Sequence, residues 1–247
     1  MTVPTPDFQN LKLSIGFNIL GGASFVDDQH NPGAALQGDG IDNALDLGSP
    51  VLQSGDGTAQ TVQFWALIPD LTSSTGIQDA LGQVTADITS TFRMFILTGG
   101  TNHGKLCGQF HSGSNNVVTT GGNTRLDTGL WILITVRVNG NVVDLFYNGI
   151  EEASYAPDKN FQFGSGYSGP PLNAADLTVG GALGANFIEN GFLMSRIKIW
   201  RTVTLSDPEI LEEFNNEFAA IGEGFITGET EENRRRGVMF TDGRARL

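Results

Sequence analysis

Several stretches of the chain alternate apolar and polar residues. In residues 11–20, Leu11, Leu13, Ile15, Phe17 and Ile19 fall in step. Residues 61–68 align Val62, Phe64, Ala66 and Ile68, and residues 131–138 align Ile132, Ile134, Val136 and Val138. Residues 105–111 set Leu106 and Phe110 opposite Cys107 and Gln109. In residues 192–200, Leu193, Ile197 and Ile199 share one parity, against Arg196 and Lys198. Strand side chains point to two faces in turn, so each stretch predicts a half-buried strand. Asn139-Gly140-Asn141 separates two apolar runs and predicts a hairpin, because type I′ turns need positive φ twice. Asn148-Gly149 predicts the next reversal. One helix is expected over residues 206–220. Ser206-Asp207-Pro208-Glu209 has the capping-box pattern, and Ile210, Leu211, Phe214 and Phe218 follow at helical spacing. Glu209, Glu212, Glu213 and Glu217 would form its solvated face. Loops rich in Gly, Ser, Asn, Asp and Pro cover residues 21–33, 49–60, 72–87, 99–104 and 158–175.

Composition agrees with a turn-rich all-β chain. Of 247 residues 33 are Gly, about twice ordinary usage, and only 17% are charged. No apolar run is long enough to span a membrane as a helix. The net charge of −13 repels phosphate backbones, which argues against nucleic-acid partners. Cys107 is the single cysteine, so no internal disulfide or thiolate cage can form, and a buried, inert thiol is expected. The first six residues carry neither a basic nor an apolar leader region, so no secretory signal is read there. The expected location is a virion or the cytoplasm of the producing cell, with action outside the cell if virion-borne. Residues 223–247 mix five acids with five arginines and few apolar residues. They are expected to be a charged tail outside a core domain of residues 1–222, either simply disordered or ordered on a partner subunit.

Four segments in order resemble the laminin-G-like, concanavalin-A-like jelly-roll superfamily. Residues 35–48, with an Asp39-Gly40 turn and a closing Leu47-Gly48, look like its opening strand-turn-strand. Residues 61–69 are similar to its aromatic strand, which carries a Trp and ends at Pro. Residues 129–136 and 143–149 resemble its Trp-led hairpin closing on Tyr147-Asn148-Gly149. Residues 177–181, 191–192, 197–200 and 205–210 look like its closing run, ending in Leu205-Ser206-Asp207-Pro208-Glu209-Ile210. The resemblance covers about residues 34 to 215. It implies an antiparallel two-sheet jelly-roll sandwich with one C-terminal helix, which the alternating strands and turn signals predict independently.

The fold hosts lectins, adhesion modules, glycosidases and structural domains alike. Glycoside hydrolysis usually needs two facing carboxylates. No Glu precedes Glu151, and adjacent Glu151 and Glu152 would lie on opposite faces of a strand, so catalysis is not expected. For His30, His103 and His111 a metal-binding or Ser/His role needs a convergent third group, which spacing along the chain does not reveal, so hydrated loop histidines are expected. If a divalent ion binds, Ca²⁺ is expected at a rim of the sandwich, as the resemblance implies, with Asp27, Asp28, Asp39, Asp42 and Asn43 as candidate ligands. The competing explanation is that these residues simply form turns. Trp65 and Trp131 are assigned to the core, while Tyr155 and Tyr167 are the ligand-binding candidates. Arg234, Arg235, Arg236 and Phe240 are the candidate partner-binding residues of the tail. The resulting reading is a non-catalytic, lectin-like recognition or adhesion module. It would contact a cell-surface glycan or protein, form a homo-oligomer, and be carried on a bacteriophage or phage-like particle. The alternative is a structural virion subunit (capsid decoration or tail/spike protein) without glycan binding. A glycosidase or polysaccharide lyase comes last.

Overall fold

In the computed structural model the described residues are 3–10, 17–21, 23–27, 34–49, 52, 59–71, 76–84, 90–97, 103–112, 115–120, 124–139, 142–155, 176–181, 188, 191–219, 239–241 and 244–246. Five short strands come first: β1 (Phe8–Asn10), β2 (Asn18–Leu20), β3 (Ser24–Val26), β4 (Ala35–Gln37) and β5 (Ala44–Asp46). Longer ones follow: β6 (Ala59–Leu67), β7 (Ile77–Val84), β8 (Ser90–Leu97), β9 (Leu106–Ser112), β10 (Asn115–Thr120), β11 (Trp131–Asn139), β12 (Val142–Tyr147) and β13 (Ile150–Tyr155). Then come β14 (Leu177–Val179), β15 (Leu193–Trp200), the helix α1 (Asp207–Ala219), β16 (Met239–Thr241) and β17 (Arg244–Arg246). One sheet has the order β13-β12-β11-β6-β15-β4-β3, with β1 also on β15; the other runs β10-β9-β8-β7-β14-β5-β2. All pairings are antiparallel. This is the expected two-sheet jelly roll with one C-terminal helix.

The core lies between the sheets and is built by the alternation. Val62, Phe64, Ala66 and Ile68 meet Ile132, Ile134, Val136 and Val138, and Phe92, Met94, Ile96 and Leu106 belong to the same buried cluster. Each such large apolar side chain contributes about 1.5–3 kcal/mol by leaving water. The Asn148-Gly149 turn forms as expected, with φ of 52° and 79°. The Asn148 side-chain oxygen accepts the Leu133 amide at 2.9 Å. Asn139 lies opposite Val142, so β11 and β12 pair as the predicted hairpin.

Several expectations are corrected. The central strands are buried on both faces rather than one, because α1 covers the outer face of the first sheet. Trp65 and Leu133 pack there against Phe214, with the Trp65 and Phe214 rings 6.3 Å apart. The parity of β15 changes midway. Its pairing with β6 slips between Ser195 and Lys198, where Arg196 takes a φ of 51°. A bulge adds a residue and switches faces. Met194 therefore joins Ile197 and Ile199 in the core, while Leu193, expected on their face, is only half-buried. Of residues 11–20, only Asn18–Leu20 is described as a strand, at the edge of the second sheet; Ile19 and Leu20 remain 55% and 38% exposed.

The helix caps as expected, the Ser206 amide and hydroxyl donating to the Glu209 carboxylate at 2.8 and 2.7 Å. Glu213 and Glu217, however, are not solvated. Both are buried against β15, where Lys198 pairs with both carboxylates and the Arg196 Nε–H donates to Glu217 at 2.7 Å. The N-terminal residues fasten β15 as well. The Trp200 indole donates to the Pro4 carbonyl, and the Asp7 carboxylate accepts the Arg201 amide, each at 2.7 Å. Among the described residues, β16 and β17 pair only with each other. Residues 220–238, which hold the expected domain boundary, lie outside the described residues.

Candidate functional site

Strand pairing fixes one end of the sandwich. Leu67, the last residue of β6, lies opposite Trp131 and Leu193, the first residues of β11 and β15. Gln37, the last of β4, also lies opposite Leu193. Backbone hydrogen bonds lace the connections across this end. Gly129 donates to the Ile68 carbonyl, Gly38 to Phe192, Gly40 to Ile188 and Leu126 to Gly104. Two groups of candidate side chains stand on this rim.

The first is the turn between β4 and β5. One Asp39 oxygen accepts the amides of Ile41 (2.9 Å), Asp42 (3.3 Å) and Asn43 (3.4 Å). Above all the Ile41 amide, opposed by slight burial and aided by the Asp42 and Asn43 amides, holds the Asp39 carboxyl below its ordinary range. The Asn43 side-chain Nδ2 donates to the Gln37 carbonyl at 3.2 Å. Its buried Oδ1 finds no partner among the described residues. Gly21 abuts the Asp42 carboxylate so closely that a Cβ there would overlap it, which seats the turn beside β2. Ile41 projects at 73% exposure. The turn-forming role weighed for Asp39 is thus real. The carboxylates of Asp39 and Asp42 are oxygen donors of the type that a hard cation takes.

Not every expected residue comes to this turn. Asp27 follows Val26, which pairs with Ala35, at the far end of β4. Asp28 lies outside the described residues. Tyr155 ends β13 opposite Val143, at the other end of the sandwich, where Ala59 pairs with Asn139. Tyr167 and Arg234, Arg235 and Arg236 lie outside the described residues, as do His30 and Asn141. Phe240 sits in the terminal hairpin opposite Ala245. Trp65 and Trp200 are buried, and Trp131, half-buried, packs with the Trp65 cluster. Cys107 is buried, as expected. Glu151 is exposed, whereas Glu152 accepts the Thr124 amide and hydroxyl at 3.1 and 2.7 Å.

The second group went unrecognised in the sequence and corrects the reading of His103. Asp70 follows β6, His103 precedes β9 and Asp127 precedes β11. One ligand atom from each lies within 4.8 Å of the other two. His103 Nε2 is 3.1 Å from an Asp127 oxygen. The Asp127 side chain is 1% exposed and is gripped by Arg125, whose Nε–H donates at 2.9 Å. Gly104, at a φ of 72°, leaves room for that carboxylate, which a Cβ would overlap. No spacing rule could link three residues from three connections. Only the strand order brings them together.

No family model matches the chain, and no curated protein matches its sequence. Among solved structures it is similar to the receptor-binding domain of botulinum neurotoxin D, at TM-score 0.61 and 14% identity, covering 90% of this chain and 55% of that one. It is also similar to the binding domain of Paraclostridial Mosquitocidal Protein 1, at TM-score 0.53 and 13% identity, covering 89% of this chain and 49% of that one. The chain therefore spans about half the length of these solved chains. At such identities the likeness is one of fold: this chain is an antiparallel β-sandwich of the kind found in these toxin binding domains.

Proposed function

We propose that the chain is a non-catalytic, lectin-like recognition module that engages a cell-surface glycan or protein through the rim bearing the Asp39–Asn43 turn. One observation carries the reading: at one rim of the sandwich an exposed isoleucine, Ile41, stands between the carboxylates of Asp39 and Asp42 in a turn whose amides Asp39 itself accepts. Binding functions are commonly held by loops on such a scaffold. The order of laminin-G-like motifs supports it, as do fold neighbours named as binding domains. A Ca²⁺ ion on Asp39 and Asp42 would add a hard centre for sugar hydroxyls. Carriage on a phage-like particle is the finer form of the proposal and would supply its oligomeric setting.

The test is a glycan array, with a cell-binding assay beside it, probed with the full chain in Ca²⁺ and in chelator. Asp39→Asn/Asp42→Asn keeps an acceptor for the turn amides and removes both charges. The expected result is binding to a restricted set of partners, weakened at least tenfold in a double variant whose circular dichroism still shows a folded sandwich. No binding by the full chain, or undiminished binding by the variant, would overturn the site. Polysaccharide turnover abolished by a single Asp→Asn change would overturn the non-catalytic part.

A further inference from the structure

We propose that Asp70, His103 and Asp127 form a binding site for a divalent transition-metal ion of the zinc type. The inference is independent of whether the module's partner is a glycan.

The donor set defines the ion. An imidazole nitrogen with two carboxylate oxygens suits zinc-like metals, whereas calcium and magnesium select oxygen alone. Spacing agrees. Zinc bonds of about 2.0–2.2 Å in tetrahedral geometry put ligand atoms roughly 3.4 Å apart. The three donors lie within 4.8 Å of one another, and His103 Nε2 is 3.1 Å from Asp127. Asp70 is exposed, so rotation of its side chain can close the remaining gap while the fourth position stays open to water.

The site is also built. Asp127 is among the most deeply buried carboxylates described, and Arg125 holds it in place while itself 55% exposed. Ligands oriented by partners in this way are the usual support of a metal site. The Gly104 amide donates to Leu97 and its carbonyl accepts the Leu126 amide, so the His103 turn and the Asp127 segment are locked together. Without metal, the His103–Asp127 contact needs a proton on Nε2. The ion would take that proton's place between nitrogen and oxygen, with Arg125 still on the carboxylate. The formal charge of Asp70, Arg125 and Asp127 is −1, and the chain's −13 favours cation capture further.

Co²⁺ and Zn²⁺ are the probes, added to the full chain. Co²⁺ should bind at one ion per chain with visible absorption bands of nitrogen–oxygen ligation, and Zn²⁺ should displace it and raise the melting temperature. His103→Gln preserves a donor to Asp127 but removes the imidazole. It should weaken Co²⁺ binding at least tenfold, as should Asp70→Asn, while each keeps the metal-free melting temperature. His30→Gln should bind like the wild type. The proposal falls if the wild type takes up no Co²⁺, if His103→Gln or Asp70→Asn binds it normally, or if equimolar Ca²⁺ displaces it. Asp127 is left intact in these variants, because removing a buried, gripped carboxylate could unfold the rim and obscure the result.

Discussion

At the scale of single residues, Gly104 shows how a backbone conformation and a buried charge depend on one another. Its φ of 72° is a conformation that side chains with a Cβ resist, at roughly 1–2 kcal/mol. Gly129 has nearly the same φ, 70°, but nothing within 4 Å of its missing Cβ. Gly129→Ala should therefore cost only the backbone strain. Gly104→Ala should cost that and also displace the Asp127 carboxylate from His103 and Arg125. The expected order of melting temperatures is wild type, then Gly129→Ala, then Gly104→Ala. The first step should be about 2–8 °C for a domain of this size. Equal losses in the two variants would mean that the carboxylate does not need the space.

At the scale of elements, the docking of α1 depends on pH through Glu217. Burial pushes the Glu217 carboxyl up, but Arg196 and Lys198 outweigh it and leave it below the ordinary carboxylate range. A carboxyl whose folded value is lowered contributes stability above its unfolded value, and that contribution is lost as pH falls through the folded one. The helix contact should thus be complete at neutral pH and weaken on acidification below about pH 4.5, the ordinary Glu range. Glu217→Gln should destabilise the neutral protein by about 1.5–3 kcal/mol, the range for hydrogen bonds to charged groups, because Lys198 retains Glu213. The variant should also lose less stability than the wild type on acidification. Chemical denaturation at pH 7 and pH 3 measures both, and parallel losses would remove Glu217 from the account. The bulge at Arg196 is what allows this network. By reversing the parity of β15 it gives Met194, Ile197 and Ile199 to the core and Arg196 and Lys198 to the helix.

At the scale of the whole molecule, both large sheets are built, among the described residues, from strands no later than β15. β15 is held by β6, β4 and β1, and α1 ends at Ala219. Among the described residues the terminal hairpin pairs with nothing else. We propose that residues 223–247 are a tail outside the sandwich through which copies associate; deleting them should leave the melting temperature unchanged while abolishing association, which light scattering would follow. A truncated chain that fails to fold would move the domain boundary. One that still associates would remove Arg234, Arg235, Arg236 and Phe240 as partner contacts.

The alternating strands of the first sheet, the Asn148-Gly149 reversal and the capped helix were legible along the chain, because each depends on residues close together. Local periodicity and turn chemistry are sufficient there, because each acts within a few residues. Residues 77–84, read as part of a loop, instead form β7 in the middle of the second sheet. Tertiary structure decided which second faces are covered and where parity breaks. Glu213 and Glu217 have the spacing of a solvated face, and only the cations of β15 beneath them give a reason for burial. It also decided the second group on the rim. Asp70, His103 and Asp127 belong to three separate connections, and nothing in their spacing records the strand pairing that brings them within 4.8 Å. A pattern of neighbours specifies which side of a strand is wet. Which loops meet at its end depends on long-range pairing.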